Sequence, residues 1–172
     1  MKEAGFENYS FVIAPFYYQN IMGMMSPQKQ PDGSMGWVLP LDPTLRVIHM
    51  GDISELGNVV AGAFAHPEEA GNGQYLPLVG DFMSFNEIVE TLNRQGHEFS
   101  YTQVPKESFA GFFPGAAEIA EMLSYWEAHT YLGSDSSDRI ALANKVAGRE
   151  PTRFSRWAAE NFPKQLNATG GA

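Results

Sequence analysis

A run of β-branched and aromatic residues, Tyr9-Ser10-Phe11-Val12-Ile13, ends at Ala14 and Pro15 and is followed by Phe16, Tyr17, Tyr18, Gln19 and Asn20. Aromatic rings beside two carboxamides have two uses. The rings can pack beneath the next element as ordinary core. They can instead wall a flat ligand at the carboxyl end of a strand, where open α/β sheets place their ligands. Gln19 and Asn20 would then supply directional hydrogen bonds, to a ligand amide or phosphate or to the loop backbone. Residue types alone leave both uses open.

No other local pattern carries a reaction. A dinucleotide-binding turn needs a third glycine after a strand, but Gly33 and Gly36 are followed by Leu39 at that spacing. No phosphate loop of the G-x-x-x-x-G-K-[ST] kind is present, nor a G-x-S-x-G nucleophile turn. No tyrosine is followed four residues later by a lysine, so the Tyr-Lys pair of short-chain dehydrogenases is absent. His49, His66, His97 and His129 lie far apart with no metal-ligand spacing, and no metal site is expected. The chain has no cysteine, which rules out thiol chemistry and disulfides and suits a reducing compartment; the expected location is cytoplasmic.

The elements that must position these residues come from a 172-residue chain of single-domain size, 44% hydrophobic. A net charge of −9 argues against a nucleic-acid partner. The basic residues from Arg139 to Lys164 read as a solvated helical face. No apolar stretch is long enough for a membrane helix. "WVLPL", "RVIHM", "GQYLPLVG" and "EFSYTQV" read as strands. "GDISELGNVVAGAFAHPE" reads as a helix with Asp52 and Glu55 at capping-box spacing and an apolar stripe of Ile53, Leu56, Val59, Val60, Ala63 and Phe64. "SFNEIVETLNRQG" reads as another, capped by Ser84 and Glu87 and stopped by Gly96. Helices are also expected near Lys106 to Phe109, from Ala116 to Tyr131, and after Pro151. Ile119, Met122, Leu123 and Trp126 would share one face of the Ala116 helix, and Phe154, Trp157 and Ala158 one face of the last. Strands mixed with helices, then helices alone, make an α/β class with a helical C-terminal portion. A strand as apolar as the first normally has neighbours on both sides, and most of those must come from elsewhere.

"YSFVIAPFYYQNIMG", "SPQKQPDGS", "IHMGDISELGNVVAGAFAHPEEAGNGQYLPLVGD", "MSFNEIVETLNRQGHEFSYTQVP", "FFPGAAEIAEMLSYWEAHTYL" and "PTRFSRWAAENF" together resemble, in order, the NmrA-like family of atypical short-chain dehydrogenases. "PQKQPDG" is most similar to the subgroup proposed to sense the NADPH/NADP balance. The resemblance implies the C-terminal part of an NAD(P)-binding Rossmann-type fold, lacking the Gly-rich N-terminal half. Residues 1–25 would be the last core strand and its cofactor-facing exit loop, and residues 26–172 a substrate or partner lobe. It implies that Tyr17, Tyr18, Gln19 and Asn20 contact NADP(H), with Pro15 and Phe16 shaping the same wall. The function expected is a redox-state sensor or regulator. A reductase of a flat acceptor such as a quinone, with Tyr17, Tyr18 and Trp126 lining the acceptor pocket, is the enzymatic alternative. A binding module without cofactor is the third. The chain alone would bind NADP(H) weakly and would self-associate through an exposed sheet edge, and its partner would be a protein or a small acceptor.

Overall fold

A computed structural model describes residues 2–163. In chain order come β1 (Ser10–Ile13), β2 (Phe16–Tyr17), β3 (Gln28–Lys29), β4 (Met35–Leu39), β5 (Ile48–Gly51), α1 (Leu56–Ala65), α2 (Pro67–Ala70) and β6 (Gln74–Pro77). Then follow β7 (Asp81–Met83), α3 (Phe85–Arg94), β8 (Phe99–Gln103), α4 (Lys106–Phe109), α5 (Ala116–His129), α6 (Ser136–Ala147) and α7 (Phe154–Asn161). The class is α/β, with parallel pairing between β1 and β6, β2 and β5, and β4 and β8. Antiparallel β7 extends the β2–β5 pair, and antiparallel β3 edges β4.

β1 places Phe11 opposite Tyr75 and Val12 opposite Leu76. Val12 and Leu76 belong to a small core closed by α1 and α6. Phe11 and Tyr75 stack at 4.9 Å, yet stay 37% and 44% exposed, so the second face of this pair is open. Among the described residues β1 has a partner on one side only. A parallel strand is ordinarily covered on both faces and paired on both edges, so this is an unfinished sheet.

The larger core lies under β2, β4, β5 and β8, against α3, α5 and α7. α3 forms as its sequence dictates. The Ser84 hydroxyl accepts the Glu87 N–H, the Glu87 carboxylate accepts the Ser84 N–H, and Phe85, Ile88 and Leu92 face inward. Fully burying such side chains is worth about 1.5–3 kcal/mol each. Gly96, at φ +97, ends the helix as expected. Phe154, Trp157 and Ala158 are buried on α7, again as expected. On α5 the inward face is Ala116, Ala120, Leu123 and Trp126, while Met122 is 40% exposed.

α1 departs from its sequence reading twice. Its inward face is Val59 and Gly62, because α6 crosses so closely there that a Cβ on Gly62 would lie 2.2 Å from the Val146 carbonyl oxygen. That crossing turns Val60 outward and leaves Phe64 84% exposed. The capping box is not formed either. Asp52 accepts the Ser54 N–H, but Glu55 is buried and faces away from the helix start. Its carboxylate accepts from the Arg149 guanidinium at 2.9 Å, the Thr152 N–H at 2.8 Å and the Thr152 hydroxyl at 3.0 Å.

The basic C-terminal residues are exposed to solvent, as expected, and each of those described also has a partner. Lys145 pairs with Glu69, Arg149 with Glu55, Arg153 with Asp81 and Arg156 with Glu160. The Arg139 guanidinium lies 5.4 Å from the Tyr75 ring centre. Lys164 lies outside the described residues.

Candidate functional site

The loop leaving β2 divides its residues between core and rim. Phe16 is buried, edge-on to Trp126 at 5.8 Å, and Trp126 in turn meets Tyr131 at 5.1 Å. Tyr18 is wholly buried between Phe154 and Trp157. Its hydroxyl donates to Asp81 Oδ2 at 3.1 Å and to the Thr152 carbonyl at 3.0 Å. Burial, then the neighbouring Asp81 charge, pushes this phenol far up, so it remains a donor. Pro15 is buried as well. The packing use therefore holds for Pro15, Phe16, Tyr18 and Trp126. Their surfaces are covered by this chain itself.

Gln19 has a different task. Its Nε2 donates to Asp52 Oδ1 at 2.7 Å and its Oε1 accepts the Ile53 N–H at 3.3 Å. The amide thus ties the exit of β2 to the exit of the neighbouring parallel strand β5. Burial alone would raise the Asp52 carboxyl, but hydrogen bonds from the Ser54 backbone and the Gln19 amide outweigh it and hold the group below its usual range. Tyr17 and Asn20 remain half-buried at the rim. Tyr17 lies close to Tyr131, whose phenol is pushed up by burial and then by that neighbour. The Asn20 carboxamide takes no part in the side-chain hydrogen bonds found among the described residues. Of the expected site residues, Tyr17, Gln19 and Asn20 keep surface at the end of the parallel strands, and the Gln19 amide is already engaged.

A second concave feature adjoins this loop. A cavity of about 500 Å³ opens between β4 and the turn joining α4 to α5. Met24, Met25, Trp37, Phe109, Phe112 and Phe113 form most of its apolar wall, and Lys29 reaches its polar side. The Trp37 indole donates to the Met25 carbonyl at 2.7 Å, which fixes the loop after the exit segment against β4. Sequence reasoning missed this cavity. Its signal was Phe112-Phe113 immediately before the turn residues Pro114-Gly115, a place where aromatic rings have no helix face to fill.

The histidines do not form a centre. His49 is buried, stacked on Phe82 at 4.2 Å, with Nε2 3.2 Å from the Ser136 hydroxyl. His66, Glu68 and Glu69 bring ligand atoms within 4.8 Å of one another on the surface, but Glu69 is already engaged by Lys145.

A dinucleotide needs a pyrophosphate anchor, for which a Gly-rich turn into a helix N-terminus is the usual device. No described helix follows a strand through such a turn; the 3-10 turn Ile53–Glu55 that leads into α1 is capped by Asp52, whose charge opposes a phosphate. Tyr17 and Asn20 lie at the end of two parallel strands, and no pyrophosphate anchor is found among the described residues.

The sequence profile of the NmrA-like family matches residues 1–158. An NmrA-like family domain-containing protein of Dictyostelium discoideum is 27% identical over 161 residues, covering 92% of this chain and 49% of that protein. Among solved structures, NmrA, described as a negative transcriptional regulator in complex with NAD, superposes with a TM-score of 0.67 at 20% identity, over 90% of this chain and 52% of that one. Its complex with NADP gives 0.66 at 19% identity, with 90% and 52% covered. A nucleoside-diphosphate-sugar epimerase from Staphylococcus aureus gives 0.63 at 15% identity, over 92% of this chain and 54% of that one. These likenesses give the fold alone, a Rossmann-like α/β fold. The chain spans about half the length of the relatives it matches.

Proposed function

The chain belongs to the NmrA-like family, and we propose that it is the C-terminal portion of an NAD(P)-binding protein that acts as a redox-state sensor or regulator. One observation carries this reading. Gln19 locks the exits of two parallel strands together through Asp52 and leaves Tyr17 and Asn20 at the rim, where a doubly wound sheet receives its ligand. The solved relatives described with NAD and with NADP support the same reading. In the complete protein the Gly-rich half holds the pyrophosphate, and this chain supplies a wall and a hydrogen-bonding amide. The proposed location is the cytoplasm, in keeping with the absence of cysteine. Among the described residues no helix is long and apolar enough to cross a membrane.

Regulation is preferred to turnover because the solved NmrA relatives are described as negative transcriptional regulators. The second reading, an NAD(P)H-dependent oxidoreductase acting on a small flat acceptor, is favoured by the apolar cavity beside the exit loop. The deciding experiment joins this chain to a Gly-rich half and measures two things. Calorimetry with NADP⁺ and NADPH reads binding, and NADPH oxidation with a quinone reads turnover. Binding without turnover supports the sensor, turnover supports the reductase, and no binding overturns both.

A further inference from the structure

We propose that the cavity between β4 and the α4–α5 turn is a binding site for a planar apolar molecule bearing one anionic group, anchored by Lys29. The site is built entirely from residues between Met24 and Leu39 and between Phe109 and Ile119. Its lining comes from this chain alone, and because the same cavity favours the reductase reading, the proposal names the ligand class of that site while resting on no nucleotide contact.

The first argument is shape and surface. About 500 Å³ is the size of a small-molecule pocket. Its outer wall carries apolar groups that are otherwise left in water: Met24 is 81% exposed, Phe112 52% and Phe113 46%. Phe112 and Phe113 both lean on buried Phe109, at 5.4 and 5.8 Å, so they are held in place beside the opening. Aromatic walls facing the tryptophan-bearing strand favour a flat, apolar occupant.

The second argument is the polar side, which comes from β3. Gln28 Nε2 already donates to the Ser26 carbonyl at 3.0 Å. Gln30 Nε2 donates to the Gln28 carbonyl at 2.9 Å and the Gly36 carbonyl at 3.2 Å. Both amide donors are engaged within the loop. Lys29 is the one charged residue lining the cavity and makes no ion pair among the described residues. A cation at an apolar opening, on a chain of net charge −9, selects a single anionic group on an otherwise apolar ligand. Addition of a peptide strand is disfavoured, because β3 is two residues long and flanked by Pro27 and Pro31.

The test uses the 172-residue chain without nucleotide and two probes, 2-naphthoate and 2-naphthamide, which differ in charge and little in shape. Titrations are followed through the methionine methyl and tryptophan indole resonances, with Met24, Met25 and Trp37 assigned. Naphthoate is expected to shift these resonances and to bind at least tenfold more weakly to Lys29→Met, while Lys29→Arg retains binding and naphthamide is indifferent to either change. Phe112→Ala is expected to weaken both probes. Thermal unfolding of each variant shows that the fold persists, since Lys29 and Phe112 are exposed. Equal naphthoate affinity in wild type and Lys29→Met overturns the anchor. No shift at Met24, Met25 or Trp37 with millimolar probe, or shifts confined to other surfaces, overturns the site. Because no nucleotide is present, neither failure bears on NAD(P) binding by the complete protein.

Discussion

The Tyr18 hydroxyl and the Phe154 backbone N–H converge on a single carboxylate oxygen, Asp81 Oδ2. Through this oxygen the loop leaving β2 is fastened to the first turn of α7, more than 130 residues away along the chain. Tyr18→Phe keeps the ring in its slot but removes the phenol donor from the Thr152 carbonyl and from Asp81 Oδ2, which keeps the Phe154 N–H. It is expected to cost about 1–3 kcal/mol in urea unfolding. Tyr17→Phe, at the rim, is expected to change stability by less than about 0.5 kcal/mol. Equal effects would show that the two tyrosines share one environment.

Asn20 and Gln19 should separate by the property they affect. Gln19→Ala releases Asp52 and the start of the helical segment, with an expected loss of about 1 kcal/mol in stability. Asn20→Ala should leave stability unchanged and, in a protein that includes the Gly-rich half, weaken NADP(H) by a few-fold to about tenfold. Calorimetry beside thermal melts reads both. Val12→Ala, in the strand, should lower stability by roughly 1–3 kcal/mol without altering affinity per folded molecule.

The chain alone should bind NADPH only in the millimolar range or more weakly, on the order of 4 kcal/mol of binding free energy or less. The missing pyrophosphate anchor is the reason. Micromolar affinity in a calorimetric titration of the isolated chain would contradict it.

His49 should make the fold acid-sensitive. Burial depresses its pKa from the ordinary 6.5 to about 4, and its Nδ1 has no acceptor among the described residues for a second N–H. Between these values the unfolded chain binds the proton and the folded chain does not. Stability is therefore full above about pH 6.5 and falls as the pH drops toward 4, by up to about 1.4 kcal/mol per pH unit and on the order of 3 kcal/mol in all. Urea midpoints measured across that window in wild type and His49→Phe check it, the variant lacking this share of the slope.

Self-association is expected at the open side of β1, where Phe11, Tyr75 and Phe64 meet water. Sedimentation at rising micromolar concentrations should show association, reduced in Phe64→Glu. A monodisperse wild-type monomer would remove the expectation.

Local rules made much of this fold legible. The Ser84–Glu87 box and the Gly96 stop depend on neighbours within a few residues, and both appear in place. What the sequence hid depends on distant partners. The apolar stripe of α1 was read from periodicity, but Gly62 decides the buried face by letting α6 approach. Glu55 has the spacing of a cap, yet Arg149 and Thr152 claim it from nearly 100 residues away. At the site the same rule applies. Tyr17 and Tyr18 are indistinguishable by type, and only the position of Asp81 and Trp157 makes one core and the other rim.

The two carboxylates Glu55 and Asp81 have a consequence for biosynthesis. Their partners Arg149, Thr152, Arg153 and Phe154 leave the ribosome long after them. At about 5–20 residues per second, the 97 residues separating Glu55 from Thr152 take roughly 5–20 s to synthesise. During that interval two acids destined for the interior wait in water with nothing to receive them, and the larger core cannot close. A nascent chain that stops short of α7 is therefore expected to leave the larger core open to water, the kind of surface that chaperones bind.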